Sequence, residues 1–113
     1  MRILIVDDDD LFLRCTQRRL ESRGIDAVTA NTAAAALDII AASAFDAVIC
    51  DLHMPDMGPD ELYTRMCATT PSHRIAFASG GLFTEGDERF ALEHEVLLKP
   101  FRIDAIIGVA ART

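Results

Sequence analysis

The chain has 113 residues, of which 50% are apolar and 26% charged, and this length suffices for one compact core but not for two. Eighteen acidic residues against eleven Lys and Arg leave a formal net charge of -7, which argues against a nucleic-acid-binding surface because few cations remain to neutralise phosphates. The apolar runs are far shorter than the roughly 20 residues that cross a bilayer, and no signal-peptide pattern opens the chain, so we expect a single cytoplasmic domain over residues 1–113 without membrane contact.

Five apolar runs of strand length recur along the chain, at residues 3–6, 27–28, 47–50, 75–78 and 96–98. The runs are continuous rather than alternating, which is typical of strands that are covered on both faces. Polar or helical segments separate them. The pattern therefore predicts an α/β fold in which a parallel sheet lies between two layers of helices, built from five β/α units.

The first predicted helix covers residues 9–23 and ends at Gly24, a residue suited to the backbone turn that follows many helices. Leu11, Phe12 and Leu13 are consecutive, so at about 100° per residue at least one of them must point toward solvent. The inner face of this helix is expected to contain Phe12, Cys15, Thr16 and Leu20.

The three cysteines are Cys15, Cys50 and Cys67. Their number is odd and no C-x-x-C pattern occurs, so neither a disulfide framework nor a zinc site is indicated. We expect all three to be reduced, small residues of the core.

The next two helices have recognisable first residues. Asn31 is placed to cap the second helix. Pro59 suits the first turn of a third helix that runs to about Cys67. The buried stripe of the second helix is expected to contain Ala33, Ala36, Leu37 and Ile40.

Two short helices complete the chain. Thr84 and Asp87 have the spacing of a capping box and open a fourth helix, for which Phe90 and Leu92 are the expected apolar anchors. This helix contains a glycine, and we expect it to be the least stable. A fifth helix over residues 102–112 is expected to face the sheet with Ile103, Ile106, Ile107 and Ala110.

Polar residues follow four of the five predicted strands. Asp7 and Asp8 follow the first strand, Asp51 the third, Ser79 the fourth and Lys99 the fifth. In a parallel α/β sheet, ligands bind outside the carboxyl ends of the strands, so we expect these side chains to converge at one edge. Clustered carboxylates repel one another unless a hard cation lies among them, and oxygen ligands open to water suit Mg²⁺.

Simpler interpretations exist for individual residues. Asp9 and Asp10 fit an acidic helix N-terminus that the helix dipole favours, without any other role. His53 has no second ligand-type neighbour at metal spacing, which favours a loop histidine over a nitrogen ligand. His73 and His94 are expected to be ordinary surface residues. Taken alone, Asp51 would be explained as the start of a loop, Ser79 as part of a turn and Lys99 as a solvated strand end, and only their coincidence indicates a site.

Four segments together resemble the receiver domain of two-component response regulators, and the similarity covers essentially the whole chain. They are ILIVDDDD at 3–10, VICDLHMPDM at 48–57, IAFASGG at 75–81 and LLKPF at 97–101. The sequence SGGLFT before a short fourth helix is similar to receivers of hybrid histidine kinases. The resemblance implies a doubly wound, flavodoxin-like fold with strand order 2-1-3-4-5. It also implies a signalling module rather than a turnover enzyme.

The resemblance implies roles for the residues at the strand ends. Asp51 matches the phosphoacceptor, which takes a phosphoryl group from a phosphohistidine. Asp8 and Asp51 match the direct Mg²⁺ ligands, Asp7 matches a carboxylate acting mainly through water, and the backbone carbonyl of His53 completes the protein ligands. Lys99 matches the lysine that pairs with the phosphoryl group.

Further features follow from the same resemblance. Ser79 matches the hydroxyl that hydrogen-bonds the phosphoryl group, and Lys99-Pro100 matches a peptide bond that is cis in the family. The implied partner is a histidine kinase or a histidine phosphotransfer domain, which would dock on the start of the first helix and Phe101. Other domains of a larger chain are further implied partners. The chain departs from the family at Gly58-Pro59, where Asp-Gly is usual, and at Val96, where an aromatic residue is common.

Two other interpretations remain open at this point. Asp7-x-Asp9 after the first strand also resembles the nucleophile motif of haloacid dehalogenase-type phosphotransferases, with Asp7 as the nucleophile. That family needs a further acidic motif after its lysine and a cap over the substrate, for which the residues after Lys99 leave little room. The third interpretation is a pseudo-receiver that binds a partner without phosphorylation.

Overall fold

The structure is a computed structural model, and it describes residues 1–80 and 84–112. The strands are β1 (Arg2–Val6), β2 (Asp26–Ala30), β3 (Ala47–Asp51), β4 (Ile75–Ser79) and β5 (Val96–Leu98). The helices are α1 (Asp10–Glu21), α2 (Ala33–Ala42), α3 (Pro59–Met66), α4 (Glu85–Glu93) and α5 (Ile103–Ala110), with a short 3-10 turn at Ser72–Arg74.

All strand pairs are parallel and the order is β2-β1-β3-β4-β5, which confirms the predicted doubly wound, flavodoxin-like topology. Successive residues of β1 and β3 point to opposite faces of the sheet, so each strand contributes to two cores. One core lies under α2, α3 and α4, and the other lies under α1 and α5. Burial on both faces explains why the three central strands, β1, β3 and β4, read as continuous apolar runs.

Three predicted helix signals are present in the structure, although α1 ends at Glu21 and not at residue 23. The carboxylate of Asp9 accepts hydrogen bonds from the N–H groups of Leu11 and Phe12 and so caps α1. Gly24 follows the end of α1 with φ of +76°, a conformation that favours glycine. Thr84 opens α4 with both hydrogen bonds of a capping box. Within residues 1–80 and 84–112, no helix is long and apolar enough to span a bilayer.

The start of α2 differs from the prediction, because Asn31 does not cap it. Thr32 is the N-cap, and Asn31 instead donates a side-chain hydrogen bond to Asp10. Asp56, in the loop after β3, accepts hydrogen bonds at 3.0 Å from each of the first two backbone N–H groups of α2. These two hydrogen bonds lower the pKa of Asp56. The loop after β3 is therefore tied to the α2 N-terminus.

Two cysteines were wrongly placed in the core by the sequence. Cys15 and Cys67 are exposed, and only Cys50 is buried, in the centre of the sheet. Leu13, Thr16 and Leu20 fill the inner face of α1, so Cys15 is turned away from the sheet. Burial, and then the neighbouring carboxylates, raise the pKa of the Cys50 thiol, which therefore stays protonated.

Two assignments around α4 were also wrong. Leu92 is 86% exposed, because it lies about 200° around the helix from Phe90, which is the apolar residue that α4 buries. His94 is not an ordinary surface residue, since its ring packs between Tyr63 and Phe90 with ring centroids 4.2 Å from each. His73 is exposed, as expected. Gly81 of the predicted IAFASGG segment lies outside the described residues.

Candidate functional site

The polar residues predicted at the strand ends come together at one edge of the sheet. There, an open cleft of about 450 Å³ is lined by Asp7, Asp8, Asp9, Phe12, Asp51, His53, Gly80 and Lys99. The cleft lies at the carboxyl ends of β1 and β3. Between these two strands the chain order changes direction across the sheet, and doubly wound folds bind ligands at this position.

Three carboxylates form the acidic wall of this cleft. Asp7, Asp8 and Asp51 each offer an oxygen, and these oxygens all lie within 4.8 Å of one another. Asp7 is only 2% exposed, and one of its oxygens accepts a hydrogen bond from the backbone N–H of Asp9, while Asp8 is open to solvent. The set combines only oxygen donors with a solvent-facing side, which fits a hard divalent cation that keeps part of its water shell.

Lys99 places a positive charge against these carboxylates. Its Nζ lies 2.5 Å from Asp7 Oδ2 and 3.6 Å from Asp51 Oδ2. The backbone N–H of Lys99 donates to the carbonyl of Ser79 at 2.8 Å, which ties the end of β5 to the end of β4. The Lys99-Pro100 peptide bond is cis, as expected. The lysine stem passes so close to Gly80 that an added Cβ there would lie 2.7 Å from Lys99 Cδ.

Asp51 is partly buried and lines the cleft. Its Oδ1 accepts a hydrogen bond of 3.1 Å from the backbone N–H of His53, and its Oδ2 faces Lys99. Asp51 pairs with Ala78 in the neighbouring strand, so Ser79 lies one residue beyond it at the same edge. The Ser79 hydroxyl is buried and has no hydrogen-bond partner among residues 1–80 and 84–112, which leaves it available to an incoming acceptor.

His53 is a loop residue, as predicted, but its side chain makes a contact that no sequence pattern indicates. Its Nε2 lies 2.9 Å from Oδ2 of Asp87, a buried residue in the first turn of α4. Burial of Asp87 works toward a higher pKa, but hydrogen bonds from the backbone of Thr84 and from His53 outweigh it and lower the pKa of Asp87. The loop after β3 is therefore joined to α4.

A second contact that sequence analysis missed involves Phe12. The sequence assigned Phe12 to the inner face of α1, and the ring is half-buried against that core, but it also lies under the Lys99 ammonium group. No pattern in the sequence indicates this contact, because it depends on how α1 and β5 meet across the sheet.

Comparison with known proteins agrees with the resemblance seen in the sequence over nearly the whole chain. The family model described as Response regulator receiver domain matches residues 3–111. The sensory/regulatory protein RpfC of Xanthomonas campestris pv. campestris is 36% identical over 84 residues, which are 74% of this chain and 11% of that protein. The sensor histidine kinase RcsC of Salmonella typhi is 30% identical over 109 residues, which are 94% of this chain and 11% of that protein.

Among solved structures, a response regulator protein from Burkholderia pseudomallei superposes with a TM-score of 0.83 and 25% sequence identity. The match covers 96% of this chain and 65% of that chain. That structure is described as containing a phosphorylated aspartic acid, a calcium ion and citrate. The matched region is about a tenth of the length of RpfC and of RcsC. The matches to RcsC and to the Burkholderia pseudomallei structure cover most of this chain.

Proposed function

Because the chain belongs to the response regulator receiver domain family of two-component signalling, we propose that it accepts a phosphoryl group on Asp51 in a Mg²⁺-dependent reaction. The observation that carries this proposal is the convergence of Asp51 with two further carboxylates, one ammonium group and one buried hydroxyl that has no partner among residues 1–80 and 84–112. The response regulator structure from Burkholderia pseudomallei, which has a similar fold and is described as containing a phosphorylated aspartic acid and a calcium ion, supports the proposal.

Asp8 and Asp51 would bind the divalent cation directly together with the backbone carbonyl of His53, and Asp7, the third carboxylate of the cluster, would act mainly through water. When bound, Mg²⁺ supplies positive charge to the oxygens of the transferring phosphoryl group and offsets the repulsion among the carboxylates. The backbone N–H of Asp9 donates a hydrogen bond to Asp7, which holds the Asp7 carboxylate in place at the site. Asp8 faces solvent and leaves room for water ligands.

The chemical step is an in-line transfer to a carboxylate. An Asp51 oxygen bonds to phosphorus while the bond from phosphorus to the donor's imidazole nitrogen breaks, and that nitrogen keeps the electron pair. Lys99 lies within ion-pair distance of Asp51 and would bind an oxygen of the transferred group. Ser79 would donate its buried hydroxyl to a second oxygen. The product is an acyl phosphate, and the domain acts as a switch rather than a turnover enzyme.

The donor in this proposal is a histidine kinase or a histidine phosphotransfer domain, because one relative is named a sensor histidine kinase. We place the reaction in the cytoplasm. Leu11 is 63% exposed at the start of α1, next to the cleft, which supports the predicted docking surface there. Phe101 lies nearby with its ring edge-on to Phe12. The aligned segments form about a tenth of the two longer relatives, so further domains on the same chain belong to the proposal.

The dehalogenase-type alternative, with Asp7 as the nucleophile, has less support. Asp7 is almost fully buried, and both of its oxygens are engaged, one by the Asp9 backbone and the other by Lys99. A nucleophile needs an accessible oxygen, which Asp51 provides with 13% side-chain exposure. The complete set of polar residues also argues against a pseudo-receiver that works without phosphorylation.

The proposal is tested by incubating the chain with acetyl phosphate and Mg²⁺ and then measuring the intact mass and the metal affinity. We expect a labile phosphoryl adduct in the wild type and none in Asp51→Asn. We also expect Asp8→Ala to weaken Mg²⁺ binding strongly, since an exposed carboxylate ligand is lost. Equal Mg²⁺ affinity in Asp8→Ala and the wild type would contradict the assigned metal site.

A further inference from the structure

The ammonium group of Lys99 is held by an aromatic face as well as by carboxylates. Its Nζ lies 4.4 Å from the centroid of the Phe12 ring, within the distance of a cation–π contact. The Phe12 ring is in turn held edge-on by Phe101, with centroids 5.9 Å apart and an interplanar angle of 82°. On another side, Gly80 confines the lysine stem. The ring is therefore a fixed surface under the ammonium group.

This contact matters because Lys99 and a divalent cation need the same carboxylate. Asp7 is the nearest partner of the ammonium group, and it also belongs to the three-carboxylate cluster. A divalent cation bound there would neutralise Asp7 and repel the ammonium group. The Phe12 ring has no net charge to be neutralised, so its attraction for the ammonium group would persist.

We propose that Phe12 is a positioning residue that keeps the Lys99 ammonium group beside Asp51 once a divalent cation has taken over Asp7. The inference rests on the proposed function, because it assumes that the carboxylate cluster binds a cation and that Asp51 is the acceptor. Phe12 does not touch the reacting atoms and acts only through Lys99. Its aromatic character, rather than its apolar volume, is the property that the site uses.

The sequence offers a direct probe, because Lys99 is the only lysine in the chain. Isotope-labelled lysine therefore gives one set of side-chain NMR signals, and protons over an aromatic face are shifted upfield by the ring current. We expect the Lys99 ε-methylene signal to be upfield-shifted in the wild type and to remain so after saturation with Mg²⁺. In Phe12→Leu, which keeps apolar volume, the signal should move to the position of a free lysine. Phe12→Tyr should restore the shift.

The second readout is the rate of Asp51 phosphorylation by acetyl phosphate at saturating Mg²⁺. We expect Phe12→Leu to slow the reaction by about two- to thirty-fold, the range that corresponds to an exposed or a desolvated cation–π contact. Phe12→Tyr should react at close to the wild-type rate. If Phe12→Leu fails to unfold cooperatively on heating, Phe12→Met replaces it as the ring-free variant.

Three results would overturn the inference. They are a wild-type lysine signal that loses its upfield shift on adding Mg²⁺, a Phe12→Leu variant that matches the wild type in both signal and rate, and a Phe12→Tyr variant that behaves like Phe12→Leu. Failure of the proposed function is distinguishable, because it appears as a wild type that is not phosphorylated on Asp51. The lysine signal needs no phosphodonor and still reports on Phe12 in that case.

Discussion

Replacing Gly80 by alanine tests whether the position of Lys99 controls phosphorylation. The added Cβ would lie 2.7 Å from Lys99 Cδ, about 1 Å closer than an ordinary carbon–carbon contact. The lysine backbone is tied to Ser79, so the side chain must move by about this distance. Moving the ammonium group from 3.6 Å to about 4.6 Å from Asp51 Oδ2 weakens their attraction by about 1 kcal/mol at an effective dielectric constant of about 20, which is about five-fold in rate.

The assay is the initial rate of phosphoryl incorporation from acetyl phosphate at saturating Mg²⁺. Gly108→Ala is the matched control, because a Cβ at Gly108 meets no atom within 4 Å and the residue lies in α5. This control should phosphorylate at the wild-type rate and gain up to about 1 kcal/mol of stability from helix propensity. A Gly80→Ala variant that folds normally and reacts as fast as the wild type would refute the reasoning.

Three further predictions follow from contacts around the cleft. Asp56→Ala removes the second cap of α2 and should lower the free energy of unfolding by about 0.5–1 kcal/mol at neutral pH, as measured by thermal unfolding. Because the pKa of Asp56 is lowered in the folded state, this contribution is full above the ordinary aspartate pKa and is lost as the pH falls through the lowered value. Equal stabilities of the variant and the wild type near neutral pH would contradict this prediction. Leu11→Glu should slow transfer from the cognate kinase but not from acetyl phosphate, and equal losses with both donors would instead indicate a damaged fold or site. Phosphorylation should change hydrogen exchange in α4 more than in α1, because His53 joins α4 to the loop after Asp51; equal changes in both helices would argue against this link.

The central strands β1, β3 and β4 are predictable from the sequence because burial on both faces leaves little choice of residue. Continuous apolar runs identify all five strands, and short connecting helices then favour parallel pairing. The carboxyl ends of parallel strands share one edge of the sheet, so the proximity of Asp7, Asp51 and Lys99 is predictable from the sequence. The resemblance to receiver domains added the strand order and the roles.

Contacts between distant segments were not predictable in the same way. Asn31 has the correct residue type for a cap, but Thr32 lies one residue closer to the helix, and Asp56 reaches the remaining N–H groups from another loop. Leu92 is apolar, yet the direction of α4 turns it to solvent. The contact between Phe12 and Lys99 depends on tertiary packing that no local pattern encodes.

The most direct test of the central claim is to locate the phosphoryl group after reaction with acetyl phosphate and Mg²⁺. Acyl phosphates are trapped by reduction with borohydride, which converts the modified aspartate to homoserine, and peptide mass spectrometry then identifies the position. We predict a single modified residue, Asp51, and no modification in Asp51→Asn. Modification of Asp7, or an unmodified wild type under conditions where Mg²⁺ binds, would contradict the account.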